Sequence, residues 1–218
     1  MDSSLPLGRL HVITDTRPGA DPVRVARAAL AAGAPVLQVR VADHHTDREA
    51  FDLTLTLVEL CREYGATCLV NDRLHVALAV GADGGHVGAH DLPVHAARVV
   101  LGGTAVIGGT CRNPEAARAL RRAGASYLGA GPAFATTTKD GLPEPIGPGA
   151  IGRIAAAVDI PVIGIGGVTA ATAGELIEAG AHGVAVVGAI SLAPDPYAAT
   201  RELLDVVERA ARQRGRSR

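Results

Sequence analysis

Aromatic side chains are nearly missing from this chain, at 2% of residues against 48% apolar residues. A core with so few large rings must be built from Ala, Val, Leu and Ile with many glycines at turns, which suits stacked βα units. Only three cysteines occur, Cys61, Cys68 and Cys111, an odd number without metal-ligand spacing. That argues against a disulfide framework or zinc site and leaves free thiols, buried or partly buried. An excess of either charge is missing too: the formal net charge is −1. No basic face is implied, so nucleic acid is not expected as a partner and small molecules are. Residues 1–9 hold no basic segment followed by an apolar run, and Arg153, Asp159 and Pro161 interrupt the longest apolar stretch. A cytoplasmic protein with no membrane segment is expected.

Catalytic signatures are equally sparse. No G-x-S-x-G motif appears, which disfavours covalent acyl transfer. The histidines, His11, His44, His45, His75, His86, His90, His95 and His182, form no helical i, i+4 pair with a carboxylate partner. All are read as structural or exposed. Lys139 is the single lysine among twenty arginines, and Gln38, Gln213, Asn71 and Asn113 are the only side-chain amides. Such scarcity makes each of these residues more informative.

What is present is a small recurring joint. Gly-Ala follows a helix-like segment and precedes a short apolar run at Gly33, Gly65, Gly81, Gly124 and Gly180. Glycine there can end a helix in the left-handed conformation and let the chain turn into a buried strand. Eight strands are predicted, at 10–14, 36–41, 67–71, 85–88, 105–110, 127–131, 161–165 and 183–187. Their short apolar runs lack strict alternation, as parallel strands covered on both faces do. Helix starts are signalled by Asp21-Pro22, Asp91 ahead of Pro93, Asn113-Pro114 and Asp195-Pro196, and residues 47–64 read as the longest internal helix. The 218 residues thus predict an α/β fold, a single (β/α)8 TIM-barrel domain over 1–218, with a short lead at 1–9 and a disordered tail at 212–218. A doubly wound open sheet is the runner-up.

In such a barrel the active site lies at the C-terminal ends of the strands. Gln38 and Arg40 fall at the second strand end, Asn71, Asp72 and Arg73 after the third, Asp91 after the fourth, and Thr110 and Arg112 after the fifth. The sixth strand leads into residues 131–141, where Thr136, Thr137, Thr138 and Lys139 offer hydroxyls and an ammonium to phosphate oxygens. Gly166-Gly167 and Val187-Gly188 end strands seven and eight, where barrels of this class hold phosphate. Asp72 and Asp91 follow adjacent strands and suit magnesium (Mg2+) shared with a diphosphate, the competing reading being two helix caps. Gln38 interrupts an apolar strand, which favours a ligand contact.

These residues carry a resemblance. Gln38-Val39-Arg40, Val70-Asn71-Asp72-Arg73, Gly88 to Asp91 with Leu92-Pro93, Gly129-Ala130-Gly131-Pro132, Thr136-Thr137-Thr138-Lys139 and Gly164-Ile165-Gly166-Gly167-Val168 are similar in order and spacing to the thiamine phosphate synthase family, over residues 10–191. The resemblance implies a transferase that joins a phosphorylated pyrimidine, 4-amino-2-methyl-5-(diphosphooxymethyl)pyrimidine, to thiazole phosphate (carboxylate), releasing diphosphate and carbon dioxide. It implies that Gln38, Arg40, Asn71, Thr110 and Lys139 hold the pyrimidine diphosphate, with Arg40 and Lys139 stabilising the leaving group. It assigns magnesium to Asp72 and Asp91, and the thiazole phosphate to Thr136, Thr137, Thr138, Gly167, Val187 and Gly188. Three positions depart from the family pattern: Ala42 replaces a lysine, Ala89 a glutamine, and Thr110 a serine. Arg73 or Arg112 could supply the missing cation. A thiazole tautomerase, which would carry a histidine near Arg112, and a thiazole-binding paralogue without activity remain alternatives. A homo-oligomer is allowed.

Overall fold

The computed structural model describes residues 7–136, 141 and 143–216. Within them the chain alternates strand and helix: β1 (Leu10–Ile13), α1 (Pro22–Ala31), β2 (Val36–Val39), α2 (Asp47–Tyr64), β3 (Thr67–Asn71), α3 (Leu74–Val80), β4 (Gly84–Val87) and α4 (Val94–Leu101). There follow β5 (Val106–Cys111), α5 (Pro114–Arg122), β6 (Tyr127–Ala130), α6 (Gly147–Ala155), β7 (Val162–Ile165), α7 (Ala170–Ala179), β8 (Gly183–Val186), α8 (Gly188–Ser191) and α9 (Pro196–Arg216). All neighbouring strands pair in parallel, and β8 pairs with β1 to close the ring. The fold is a single (β/α)8 barrel.

Local chemistry sets the helix ends. Thr46 and Glu49 make a reciprocal capping box at the start of α2, and Gly65, with φ 67°, ends it with its N–H on Arg62 O and Cys61 O. Asp21, Asn113 and Asp195 accept backbone N–H bonds at the starts of α1, α5 and α9. Asp91 does not cap a helix. The N-cap of α4 is Pro93, so Asp91 sits two residues too early, and its Oδ2 accepts from Gly88 N at 2.7 Å instead.

Period-two alternation of the strands divides the core into two layers. Ile13, Val36, Leu69, Val106, Tyr127 and Ile163 fill the barrel interior. The alternate residues, Leu37, Ile107 and Leu128 among them, pack outward against Leu57, Ile154 and Leu176 of the helices. Each such side chain contributes about 1.5–3 kcal/mol on burial.

The expected disordered tail at 212–218 is helical as far as Arg216. Arg214 Nη1 donates to Ile177 O and Ala181 O, both at 3.0 Å, which ties the last turns of α9 to the end of α7. The three cysteines are free and buried. No described helix is long and apolar enough to cross a membrane.

Candidate active site

The interior register continues upward into the polar residues. Val36 and Gln38, Leu69 and Asn71, Gly84 and His86, Gly108 and Thr110, and Tyr127 and Gly129 each lie two apart on one strand and so share its inner face. The apolar floor therefore gives way to a polar layer toward the C-terminal mouth.

Hydrogen bonds link that layer into one chain. Gln38 Nε2 donates to Asn71 Oδ1 at 2.9 Å, and Tyr127 OH faces Gln38 Oε1 at 3.5 Å. His86 Nδ1 lies 3.0 Å from Tyr127 OH, and His86 Nε2 lies 2.9 Å from Thr110 Oγ1. Burial lowers the His86 pKa to about 4 and holds the ring neutral, while it pushes the Tyr127 phenol far up. Two glycines make room for these rings: a Cβ at Gly108 would stand 2.2 Å from Tyr127 Cζ and 2.4 Å from His86 Nδ1, and one at Gly129 3.0 Å from His86 Cε1. Below them His11 packs edge-on to Tyr127, with ring centroids 5.3 Å apart. Its Nε2 has no hydrogen-bond partner among the described residues, and burial lowers its pKa to about 3.

The exit of β2 is clamped to that of β1. Thr14 Oγ1 donates to Arg40 O and accepts from Arg40 N, both at 2.8 Å, and Ala42 N donates to Thr16 Oγ1 at 2.9 Å. This fixes the Arg40 backbone at the mouth. Arg40 is half-buried, and its guanidinium has no hydrogen-bond or ion-pair partner among the described residues.

Asp72 and Asp91 stand exposed at the ends of the paired strands β3 and β4. Asp72 has φ 61°, a left-handed conformation that aspartate tolerates better than bulky residues, and its N–H donates to His86 O at 2.9 Å. Among the described residues no three metal-ligating side chains converge. Two carboxylates form an incomplete hard-oxygen set that phosphate oxygens and water would have to complete.

Neither arginine expected to replace the missing cation is uncommitted. Arg73 donates to Asp47 Oδ1 at 2.9 Å and His45 O at 2.6 Å, at the start of α2. Arg112 is exposed and donates to Glu144 O at 2.5 Å.

On the opposite side, the segment after β6 lies along the end of β7, with Ala133 N on Ile165 O and Phe134 N on Gly166 O. Gly166 and Gly167 have φ 93° and 64°, and a Cβ at Gly167 would meet Ala135 O at 2.4 Å. Loop packing alone thus requires glycine at both positions. Val187 and Gly188 form the junction between β8 and α8, both half-buried. Thr136 belongs to this loop; Thr137, Thr138 and Lys139 lie outside the described residues.

Sequence reasoning missed His86, Tyr127 and Asp15. Asp15, just past β1, is buried; it accepts from Arg17 Nε and Nη2 at 2.9 and 2.7 Å and from Ser191 Oγ at 2.9 Å, joining β1 to α8. The bonds from Arg17 draw its pKa down to about 2. His86 interrupts an apolar strand just as Gln38 does, and Tyr127 is one of three tyrosines, so both carried a readable signal.

Known proteins match this arrangement along nearly the whole chain. The family model for thiamine monophosphate synthase matches residues 10–190. A thiamine-phosphate synthase of Salinispora arenicola is 60% identical over 203 residues, covering 92% of this chain and 98% of that protein. One from Salinispora tropica is 59% identical over the same length and shares. The solved structure of a thiamine phosphate pyrophosphorylase from Pyrococcus furiosus superposes with a TM-score of 0.85 at 38% identity, over 93% of this chain and 96% of that one. With its barrel closed and its strand-end residues in the family's order, the chain belongs to the thiamine monophosphate synthase family.

Proposed function

We propose that this enzyme, a transferase like the relatives it matches, joins 4-amino-2-methyl-5-(diphosphooxymethyl)pyrimidine to thiazole phosphate (carboxylate), with release of diphosphate and carbon dioxide. The observation that carries this reading is Arg40, half-buried with a guanidinium that has no partner among the described residues, two positions past Gln38, whose amide is fixed on Asn71. An uncommitted cation at the end of a strand that also carries a fixed amide suits an anionic leaving group attached to a heterocycle.

In this reading the methylene C–O bond breaks and its electron pair leaves on the diphosphate oxygen. Arg40 and Lys139 stabilise the charge that develops there, and Asn71 and Thr110 hold the pyrimidine so that the cation is presented to the thiazole nitrogen. The nitrogen lone pair forms the new C–N bond, so this step needs no protein base. Asp72 and Asp91 would hold magnesium, which when bound supplies positive charge to the diphosphate oxygens. Thr136, Thr137, Thr138, Gly167, Val187 and Gly188 would hold the thiazole and its phosphate.

Ala42 and Ala89, together with the commitments of Arg73 and Arg112, support a second reading, a thiazole-phosphate-binding paralogue. The deciding assay supplies both substrates with magnesium and measures thiamine phosphate. Product formation is expected; tight thiazole phosphate binding without product would establish the paralogue.

A further inference from the structure

We infer that Asp15 is a positioning residue for the thiazole phosphate half of the site: its carboxylate holds Ser191 and, through that single helical turn, fixes the Val187–Gly188 junction. The inference deepens the functional reading above and rests on it for the role of that junction.

Asp15 is the one buried carboxylate among the described residues, with 5% of its side chain exposed. Burying a charge is costly, and a buried ion pair adds little stability over apolar packing, so a role in fixing geometry is the better account of it here. Its bonds fall into two sets. Arg17 donates through N and Nε to Oδ1 at 3.2 and 2.9 Å and through Nη2 to Oδ2 at 2.7 Å, which balances the charge and fixes the plane of the carboxylate. The remaining bond, from Ser191 Oγ to Oδ2 at 2.9 Å, leaves the exit of β1 and reaches α8.

Helix α8 needs such a tie. It is one turn, Gly188–Ser191, without a side-chain cap, and an isolated turn fixes more backbone dihedrals than its bonds compensate. Ile190 anchors it by burial, and Ser191 anchors its end. The N–H groups of Ile190 and Ser191 both donate to Val187 O, at 3.1 and 3.0 Å, so a shift of Ser191 passes directly to Val187 and Gly188.

The segment that carries Asp15 is held independently from its other side. Thr14 Oγ1 is bonded to the backbone of Arg40, and Thr16 Oγ1 to Ala42 N. The two threonines thus grip the exit of β2, in the pyrimidine half, while Asp15 between them grips α8. These grips share no bond. Loss of the Ser191 tie therefore acts on thiazole phosphate and spares the pyrimidine diphosphate.

Equilibrium binding of each substrate alone to the full chain tests this. Thiazole phosphate should bind Ser191→Ala about tenfold more weakly than the wild type, the yield of one hydrogen bond to a charged acceptor, with pyrimidine diphosphate affinity unchanged. Ser191→Thr, which restores the hydroxyl, should recover the affinity. Asp15→Ala should weaken thiazole phosphate binding as well, and Ser191→Ala added to it should have no further effect. In the ligand-free protein, Ser191→Ala should speed amide hydrogen exchange at Gly188 to Ser191 more than at Arg40 and Ala42. Wild-type thiazole phosphate affinity in Ser191→Ala, equal losses for both substrates, or additive effects of the two substitutions would each overturn the inference alone. Should Ser191→Ala fail to fold, Ser191→Cys, which keeps the volume and weakens the bond, is read by the same criterion. A wild type that does not bind thiazole phosphate overturns the functional reading, and the inference with it.

Discussion

Arg73 Nη1 lies 2.9 Å from Asp47 Oδ1, an ion pair that ties the entry of α3 to the first turn of α2. The same guanidinium donates to His45 O, so the arginine beside Asp72 serves the β2–α2 connection. The family's absent lysine at Ala42 is not replaced from this side.

Restoring that cation is the first test. Ala42→Lys should tighten pyrimidine diphosphate binding by about threefold to tenfold, the yield of one partly exposed charge-assisted contact. Because Arg112 is bonded to Glu144 O, Arg112→Ala and Ala42→Lys should act additively on the Michaelis constant for that substrate. Rescue of one by the other would show that Arg112 reaches the diphosphate.

Gly108→Ala places a methyl group 2.2 Å from Tyr127 Cζ inside a closed ring. Destabilisation of about 1–3 kcal/mol is expected, with loss of most thiamine phosphate formation as the ring and His86 are displaced. Gly109→Ala meets Leu120 and Val94 only at 3.2 Å, on the outer layer, and should be milder. Equal effects in urea unfolding and in the product assay would mean that ring placement is not what Gly108 protects.

Two histidines buried in neutral form make stability depend on pH. The unfolded chain binds their protons near pH 6.5, whereas folded His11 and His86 bind them only near pH 3 and 4. Stability is thus full above about pH 6.5 and is lost as pH falls through that window, by up to about 1.4 kcal/mol per pH unit for each group. Comparison of urea unfolding at pH 7 and pH 5 should show a smaller loss in His11→Leu than in the wild type. An identical loss would mean that His11 is protonated in the folded state.

Asp91→Asn separates charge from structure, because the amide oxygen can still accept from Gly88 N. Magnesium titration of activity should shift to at least about tenfold higher concentration, with thiazole phosphate affinity preserved. Full activity of the wild type in excess chelator would remove the metal from the mechanism.

Lys139, the single lysine, is expected to contact the diphosphate. Lys139→Met should lower rate or affinity about tenfold to a hundredfold, equivalent to about 1.5–3 kcal/mol, and leave the melting temperature unchanged. Wild-type turnover in that variant would place the lysine outside the site.

Much of this was legible from local patterns. Residues 47–64 read as a helix because Thr46, Glu49 and Gly65 mark both ends, and the structure returns Asp47–Tyr64. The second strand was read through 41 but stops at Val39, where the N–H groups of Arg40 and Ala42 turn to the hydroxyls of Thr14 and Thr16. No local pattern reports such cross-strand bonds. His86 escaped for a related reason: its partners come from β5 and β6, 24 and 41 residues on, and a search for helical pairs cannot see them. Asp91 looked like a cap because its spacing from Pro93 resembles one, and only the path of the loop shows it bonded to Gly88.

The bond from Ser191 to Asp15 spans 176 residues and reinforces the pairing of β8 with β1. During synthesis the first strand must therefore wait, its edge unpaired, until almost the entire chain has emerged. Non-local closure of this kind slows folding and exposes an edge to other chains meanwhile. β8 and α8 then join the barrel after the other seven strands, so a nascent or truncated chain that ends before α8 lacks both the tie and the Val187–Gly188 junction.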